Sequence, residues 1–286
     1  MKSITYQVAG HRFLVSGEHL LKAVDNIAGF RPFRVEDCEG VLFSFVEGTD
    51  IPDMISEQYR FSYEDVRGRF GRTDKGYILE LKPAQESAFH MWITDGENAV
   101  QLKGNWSMRL CRFALWVGYG LMVLPLNTVA IHSSAIVHNS KAVLFLGESG
   151  TGKSTHTRLW QEHIAGTFLL NDDSPIIRVE DGIVWAYGSP WSGKTPCYKQ
   201  ERYELVGCVR LYQAPFNHIR KLSILQSYGA IHPSCPPEFA YDNCLYDHIS
   251  QFIDKIISNT TFYHLDCLPD KEAAELSFHT LFKGIR

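Results

Sequence analysis

The sequence predicts a mixed α+β protein in two parts: a strand-rich antiparallel region over residues 1–104, then an α/β domain over 105–286 built around a glycine-rich loop. Three observations predict this. Runs of β-branched and aromatic residues, separated by turn signals, fill the first part. At Asn105 the apolar periodicity changes from two to that of a helix. At 142–163 an apolar strand, a glycine loop and a helix follow one another, with a hairpin immediately before them. A chain of 286 residues with 45% hydrophobic content can bury the core of one large domain or two moderate ones.

In the first part, Ile4–Val8, Arg12–Val15, Val41–Val46, Tyr77–Leu81 and His90–Thr94 read as strands. Ala9-Gly10, Glu47-Gly48, Lys75-Gly76 and Asp95-Gly96 read as the turns that separate them. Arg67, Arg69 and Arg72 surround Phe70 with the alternating charge of a solvated strand face, the alternative being a patch for an acidic partner. Trp106, Leu110, Phe113, Ala114, Val117 and Leu121 then recur at helical spacing, with Asn105 as cap and Pro125 as stop. The apolar run Phe113–Ile131 is interrupted by Gly118, Gly120, Pro125, Asn127 and Thr128, so it reads as a buried core helix and not as a membrane span.

Val129–Val137 reads as a strand that turns at His138-Asn139-Ser140-Lys141 into the strand Ala142–Leu146. So short a link demands antiparallel pairing, which sets this chain apart from Ras-like and RecA-like sheets, where the corresponding strand lies between parallel neighbours. Gly147-Glu148-Ser149-Gly150-Thr151-Gly152-Lys153-Ser154-Thr155 matches the Walker A pattern G-x-x-x-x-G-K-[ST]. Its glycines let the backbone wrap an anion. The amides of Gly147, Ser149, Gly150, Thr151, Gly152 and Thr155 would face phosphate oxygens, Lys153 would reach the outer phosphates, and the Ser154 hydroxyl would ligate Mg²⁺. Ser154–His163 reads as the helix, and Gly166–Asp173 as a returning strand whose end carries Asp172 and Asp173, nineteen positions and more beyond Lys153. Carboxylates there suit both needs of phosphoryl transfer, a metal ligand and a base.

Ile176–Val179 and Ile183–Tyr187 form a further predicted hairpin, ending in the polar loop Gly188–Lys194, whose Lys194 is a candidate second clamp on the transferred phosphoryl group. A strand at Leu205–Leu211, helices around Ile219–Tyr228 and 241–258, a strand at Phe262–Leu265 and a helix at Lys271–Phe282 complete the expectation. Balanced charge, 28 Lys+Arg against 32 Asp+Glu, offers no field for nucleic acid. Seven cysteines, without a C-x-x-C pair, read as reduced thiols of a cytoplasmic protein, and the N-terminus lacks the apolar core of a signal peptide.

His132 fifteen positions before Gly147, the intervening hairpin, the loop and the Asp172-Asp173 pair together resemble the catalytic domain of HPr kinase/phosphorylase. That group shares the nucleotide-binding fold of ATP-dependent phosphoenolpyruvate carboxykinase. The resemblance implies a mixed sheet with flanking helices, ATP and Mg²⁺ as phosphoryl donor and cofactor, and a serine-type hydroxyl as acceptor. It makes Asp172 the general base and Asp173 the metal-side carboxylate, with the reverse assignment open, and sets His132 beside the reacting phosphoryl or the base. Where HPr kinases carry E-x-R-G-x-G, this chain has Gly188-Ser189-Pro190-Trp191-Ser192-Gly193-Lys194. The acceptor is therefore open among a protein, a peptide and a small molecule, and the sequence leaves room for a homo-oligomer. A small-metabolite kinase of the shikimate or gluconate type and a non-catalytic ATP-sensing module are the alternatives. No N-K-x-D motif supports a GTPase, and no basic oxaloacetate pocket supports a carboxykinase.

Overall fold

The first strands are laid down by a tight hairpin: β1 (Ser3–Val8) and β2 (His11–Ser16) are joined through Ala9 and Gly10, both with positive φ, as a two-residue hairpin turn demands. The computed structural model describes residues 2–193 and 195–283. They form two units, Met1–Leu126 with Pro237–Tyr246, and Asn127–Pro236 with Asp247–Arg286.

The first unit continues through α1 (Glu18–Asp25), β3 (Arg34–Val35), β4 (Val41–Glu47), β5 (Ser56–Tyr63), β6 (Val66–Arg72), β7 (Gly76–Pro83), β8 (Phe89–Thr94), β9 (Ala99–Gly104) and α2 (Met108–Val123). Its sheet runs β3-β1-β2-β4-β9-β8-β7-β6-β5. β5 to β9 are antiparallel, as expected, but β4 lies parallel to both β2 and β9, so the sheet is mixed and not purely hairpin-built. The chain enters β4 after a crossover through α1, the kind of long connection that parallel pairing requires.

The division between units falls after Leu126, and not at the change of period near Asn105. The reason is what α2 buries. Leu110, Ala114, Leu115, Val117 and Leu121 are buried, and a Cβ added at Gly118 would come within 2.9 Å of Phe45 and of Val100, so the helix backbone lies directly on β4 and β9. The Tyr119 hydroxyl also donates to the carbonyl of Val8 at 3.0 Å. Among the described residues this is the one helix long and apolar enough to cross a membrane, and it is mostly buried inside the protein. Its N-cap position is Ser107, not Asn105, with no side-chain capping bond, and it gives way to a short turn, Leu124–Leu126, that contains the expected stop, Pro125.

Two of the three arginines on β6 are ion-paired: Arg69 with Glu57 and Glu80, Arg72 with Asp242. Asp242 belongs to the returning segment Pro237–Tyr246 and accepts hydrogen bonds from Arg72 (2.7 and 3.0 Å), Gln58 (2.7 Å), Tyr77 (2.9 Å) and the amide of Leu245 (3.1 Å). Burial alone would raise its pKa, but these donors outweigh it and hold the carboxyl far below its ordinary range. Glu238, 3% exposed in the same segment, is the opposite case: its Oε2 has no partner and burial pushes its pKa up to about 7. A raised carboxyl pKa means that stability is fullest below the unfolded value, falls as pH climbs toward about 7, and is flat above that. Glu238→Gln is therefore expected to stabilise the first unit by about 3 kcal/mol at pH 8 and to flatten its urea midpoint between pH 5 and 8. An unchanged pH profile would mean that the carboxyl is solvated.

The second unit comprises β10 (Thr128–Ala130), β11 (Ser133–His138), β12 (Lys141–Leu146), α3 (Lys153–His163), β13 (Thr167–Asp173), β14 (Ile176–Glu180), β15 (Ile183–Tyr187), β16 (Arg202–Gln213), β17 (His218–Lys221), α4 (Ile224–Ile231), most of α5 (Asn243–Asn259), β18 (Thr261–Cys267) and α6 (Lys271–Phe282). The predicted strand 129–137 is thus two strands: β10 pairs with β14, and β11 with β12 and β13. The sheet runs β10-β14-β15-β16-β12-β11-β13, with β18 also on β16 and β17 on β18. β12 has antiparallel β11 on one side and parallel β16 on the other, so the sheet is mixed. The helix expected at Ile219–Tyr228 is instead β17 followed by α4, which starts at a capping box between Ser223 and Gln226. Phe145, Val143, Val209, Leu211 and Leu265 bury one sheet face against α3 and α6, where Trp160 and His156 both share the Ser277 hydroxyl at 2.9 Å.

Candidate active site

The site is built where β12 ends, because the neighbouring strand ends bring their side chains to the same edge. β11 lies between β12 and β13, with Ser133 in register with Leu146 and Asp173, and Ser134 with Phe145 and Asp172. His132 precedes β11, the glycine loop follows β12, and the two aspartates close β13. All of these sit at one edge of the sheet.

Within the loop, Gly147, Gly150 and Gly152 have φ of 151°, 84° and 100°, values that side chains disfavour. The Thr151 hydroxyl donates to the carbonyl of Glu148 at 2.8 Å, which fixes the turn. α3 has Gly152 as its N-cap residue, which brings no side chain, so the first amides of the helix are not taken up by a capping side chain. A Cβ at Gly150 or Gly152 would meet nothing within 4 Å, so the loop is open on that side.

Lys153 is 8% exposed, and its ammonium donates to the carbonyls of Gly147 (2.7 Å) and Glu148 (3.1 Å) and to His132 Nε2 (3.0 Å). Burial pushes its pKa below the usual lysine range, and Asp173 and Asp172 offset part of that. An ammonium has only donors, so His132 Nε2 accepts and the ring proton resides on Nδ1, which faces Asp173 Oδ1 at 3.3 Å.

Asp172 and Asp173, adjacent at the end of β13, take different partners. Asp172 is buried, and its Oδ1 accepts from Ser134 (2.7 Å) and from Ser154 (2.9 Å). Asp173 is 40% exposed beside His132 and has φ of 117°, a strained value for a residue other than glycine. The loop after β15 is anchored on this pair. Asp173 bridges Ser192, the amide of Gly193 donates to the carbonyl of Asp172 at 2.6 Å, and the Ser192 hydroxyl donates to it at 3.1 Å. Lys194 lies outside the described residues.

Two further residues belong to the site without a motif to mark them. Asn171, fully buried, offers its amide to Ser189 Oγ and the carbonyl of Trp191, both at 3.2 Å, and accepts from the amide of Ser174 at 3.0 Å, so it ties the loop to the end of β13. Arg210 on β16, in register with Leu146, reaches Glu148 at 3.3 Å and adds a second cation beside the loop. A polar residue in an apolar strand was the only sequence signal for either.

Among the described residues no cluster of three or more His, Cys, Asp or Glu forms a metal cage. The Ser154 hydroxyl and the Asp172 carboxylate instead provide a sparse oxygen donor pair of the kind Mg²⁺ uses when phosphates and water complete its shell, and so the residues fit that ion. No protein-family model and no curated protein matches this chain.

Proposed function

We propose that the chain is an ATP- and Mg²⁺-dependent kinase, of the HPr kinase and phosphoenolpyruvate carboxykinase type, that transfers the γ-phosphoryl group to a serine-type hydroxyl. The observation that carries the reading is the division of labour at the end of β13: Asp172 bonded to Ser154 at 2.9 Å, and Asp173 turned out toward His132. A phosphate-binding loop alone would need neither.

In this reading the loop amides, Lys153 and Arg210 hold the triphosphate, and Ser154 with Asp172 holds the metal, which draws charge from the phosphoryl oxygens when bound. Asp173 takes the proton from the acceptor hydroxyl as its oxygen bonds to the γ-phosphorus and the bond to the bridging oxygen breaks. His132, its Nε2 held by Lys153, sets its Nδ1 3.3 Å from Asp173 Oδ1 and so positions a partner beside the base. The geometry thus favours Asp173 as the base and Asp172 as the metal-side carboxylate, the reverse of the first assignment drawn from the resemblance. Antiparallel β11 beside β12 speaks against the parallel-sheet metabolite kinases. All seven cysteines are free thiols, in keeping with a cytoplasmic enzyme.

The test is turnover of γ-labelled ATP with Mg²⁺ in the presence of free serine, HPr or a lysate of the source cells, with Asp172→Asn as control. Label transferred to an acceptor by the wild type and lost in the control is expected. Tight ATP binding with no transfer to any acceptor would replace the kinase with a nucleotide-sensing module.

A further inference from the structure

On the flank of the glycine loop away from the aspartates, β16 and β18 end side by side, and the turns that follow them are braced as one piece. Asn217 does the bracing: its Oδ1 accepts from the amide of Leu268 at 2.8 Å, and its Nδ2 donates to Asp270 Oδ1 at 3.0 Å. Asp270 in turn caps α6 through the amide of Ala273 at 2.9 Å, and the amide of Ala214 donates to the carbonyl of Cys267 at 3.2 Å. Each turn also contains a proline, Pro215 or Pro269, which fixes φ without a side-chain partner. Such a turn pair costs little to order further on binding.

What this rigid piece presents is apolar. Phe216 is 55% exposed and Leu268 37% exposed. The end of β16 is joined to the loop itself, since Gln213 Nε2 donates to the carbonyl of Gly150 at 3.1 Å. In open sheets of this kind, ligands lie outside the carboxyl ends of the strands. The β11–β13 flank of the loop is occupied by His132, Asp172, Asp173 and the loop that carries Ser192, and an acceptor must approach there. The nucleoside end of a nucleotide therefore leaves by the other flank, where β16 and β18 end.

We infer that the paired turns bearing Phe216 and Leu268 are the nucleobase subsite of the nucleotide whose phosphates the glycine loop takes; this rests on the kinase reading above. Phe216 supplies a ring face for a flat base, and Leu268 extends the same surface. Stacking on a ring does not read the base edge, so the subsite selects a nucleotide over a bare polyphosphate without selecting strongly among bases.

The experiment is a calorimetric titration of the full chain with Mg²⁺-ATP and with Mg²⁺-tripolyphosphate, using wild type, Phe216→Ala and Phe216→Tyr. Phe216 is exposed, so its removal leaves the core intact. Phe216→Ala is expected to weaken ATP about tenfold or more, in line with the loss of one base–ring stack, with tripolyphosphate unchanged and Phe216→Tyr like wild type. An ATP affinity that Phe216→Ala leaves unaltered, or a loss shared equally by tripolyphosphate, would overturn the subsite while leaving the phosphate loop standing. Failure of the wild type to bind either ligand would overturn the nucleotide reading itself, and the subsite with it.

Discussion

Asp173→Asn is expected to lower phosphoryl transfer by about 10²–10⁴-fold while Mg²⁺-ATP affinity stays within a few-fold. The amide keeps the size of the carboxylate and can still face His132 Nδ1, but it cannot take a proton. The Ser154 hydroxyl has Asp172 as its carboxylate partner, while Asp173 faces His132. The companion variant Asp172→Asn should show the opposite split: its amide oxygen can still accept from Ser134 and Ser154, but the negative charge that would hold the metal beside Ser154 is gone. Its main effect should be on metal-dependent nucleotide binding. Steady-state kinetics beside direct titration separates the two, and a binding defect confined to Asp173→Asn would exchange their roles.

Asp242→Ala is expected to destabilise the first unit by about 3–5 kcal/mol, read from denaturant unfolding of the full chain. The alanine leaves Arg72 without its carboxylate and removes the acceptor of Gln58, Tyr77 and the amide of Leu245 in one step. Replacing both members of the pair, Arg72→Met with Asp242→Leu, should recover much of the loss, because no buried charge is then orphaned. The pH dependence follows from the sign of the shift. A carboxyl held below its unfolded pKa contributes stability that is present above the ordinary carboxylate range and lost as pH falls toward the folded value. The variant should therefore lose less stability than wild type between pH 5 and pH 3. Equal acid sensitivity would place the acid-labile contacts elsewhere.

The candidate site was legible in the sequence because its parts are close in the chain and carry their own chemistry. A glycine loop can be recognised from spacing, and a strand ending in two carboxylates from composition. Which aspartate does what could not be read, because that depends on which face of β13 meets Ser154, a matter of sheet position. Distant pairing explains the other misses. His218–Lys221 holds a single large aliphatic residue, Ile219, and becomes a strand because β18, far along the chain, offers it an edge. Val41–Glu47 looks like any half-buried strand, and nothing local announces parallel partners on both sides. The helix at 108–123 was found, but its allegiance was not, since an apolar stripe does not say which sheet will cover it.

The position of β11 between β12 and β13 also bears on how the protein is made. His132, the glycine loop, Lys153, Ser154 and both aspartates belong to consecutive elements, so their pairing closes short loops at small entropic cost. The parallel partner β16 and its neighbour β18 lie much further along the chain, and contacts of that separation form slowly. As the chain leaves the ribosome, the residues of the candidate site are all synthesised before the strands that seal its other flank, so a folding fault in β16 or β18 would leave the edge of β12 exposed beside three paired strands.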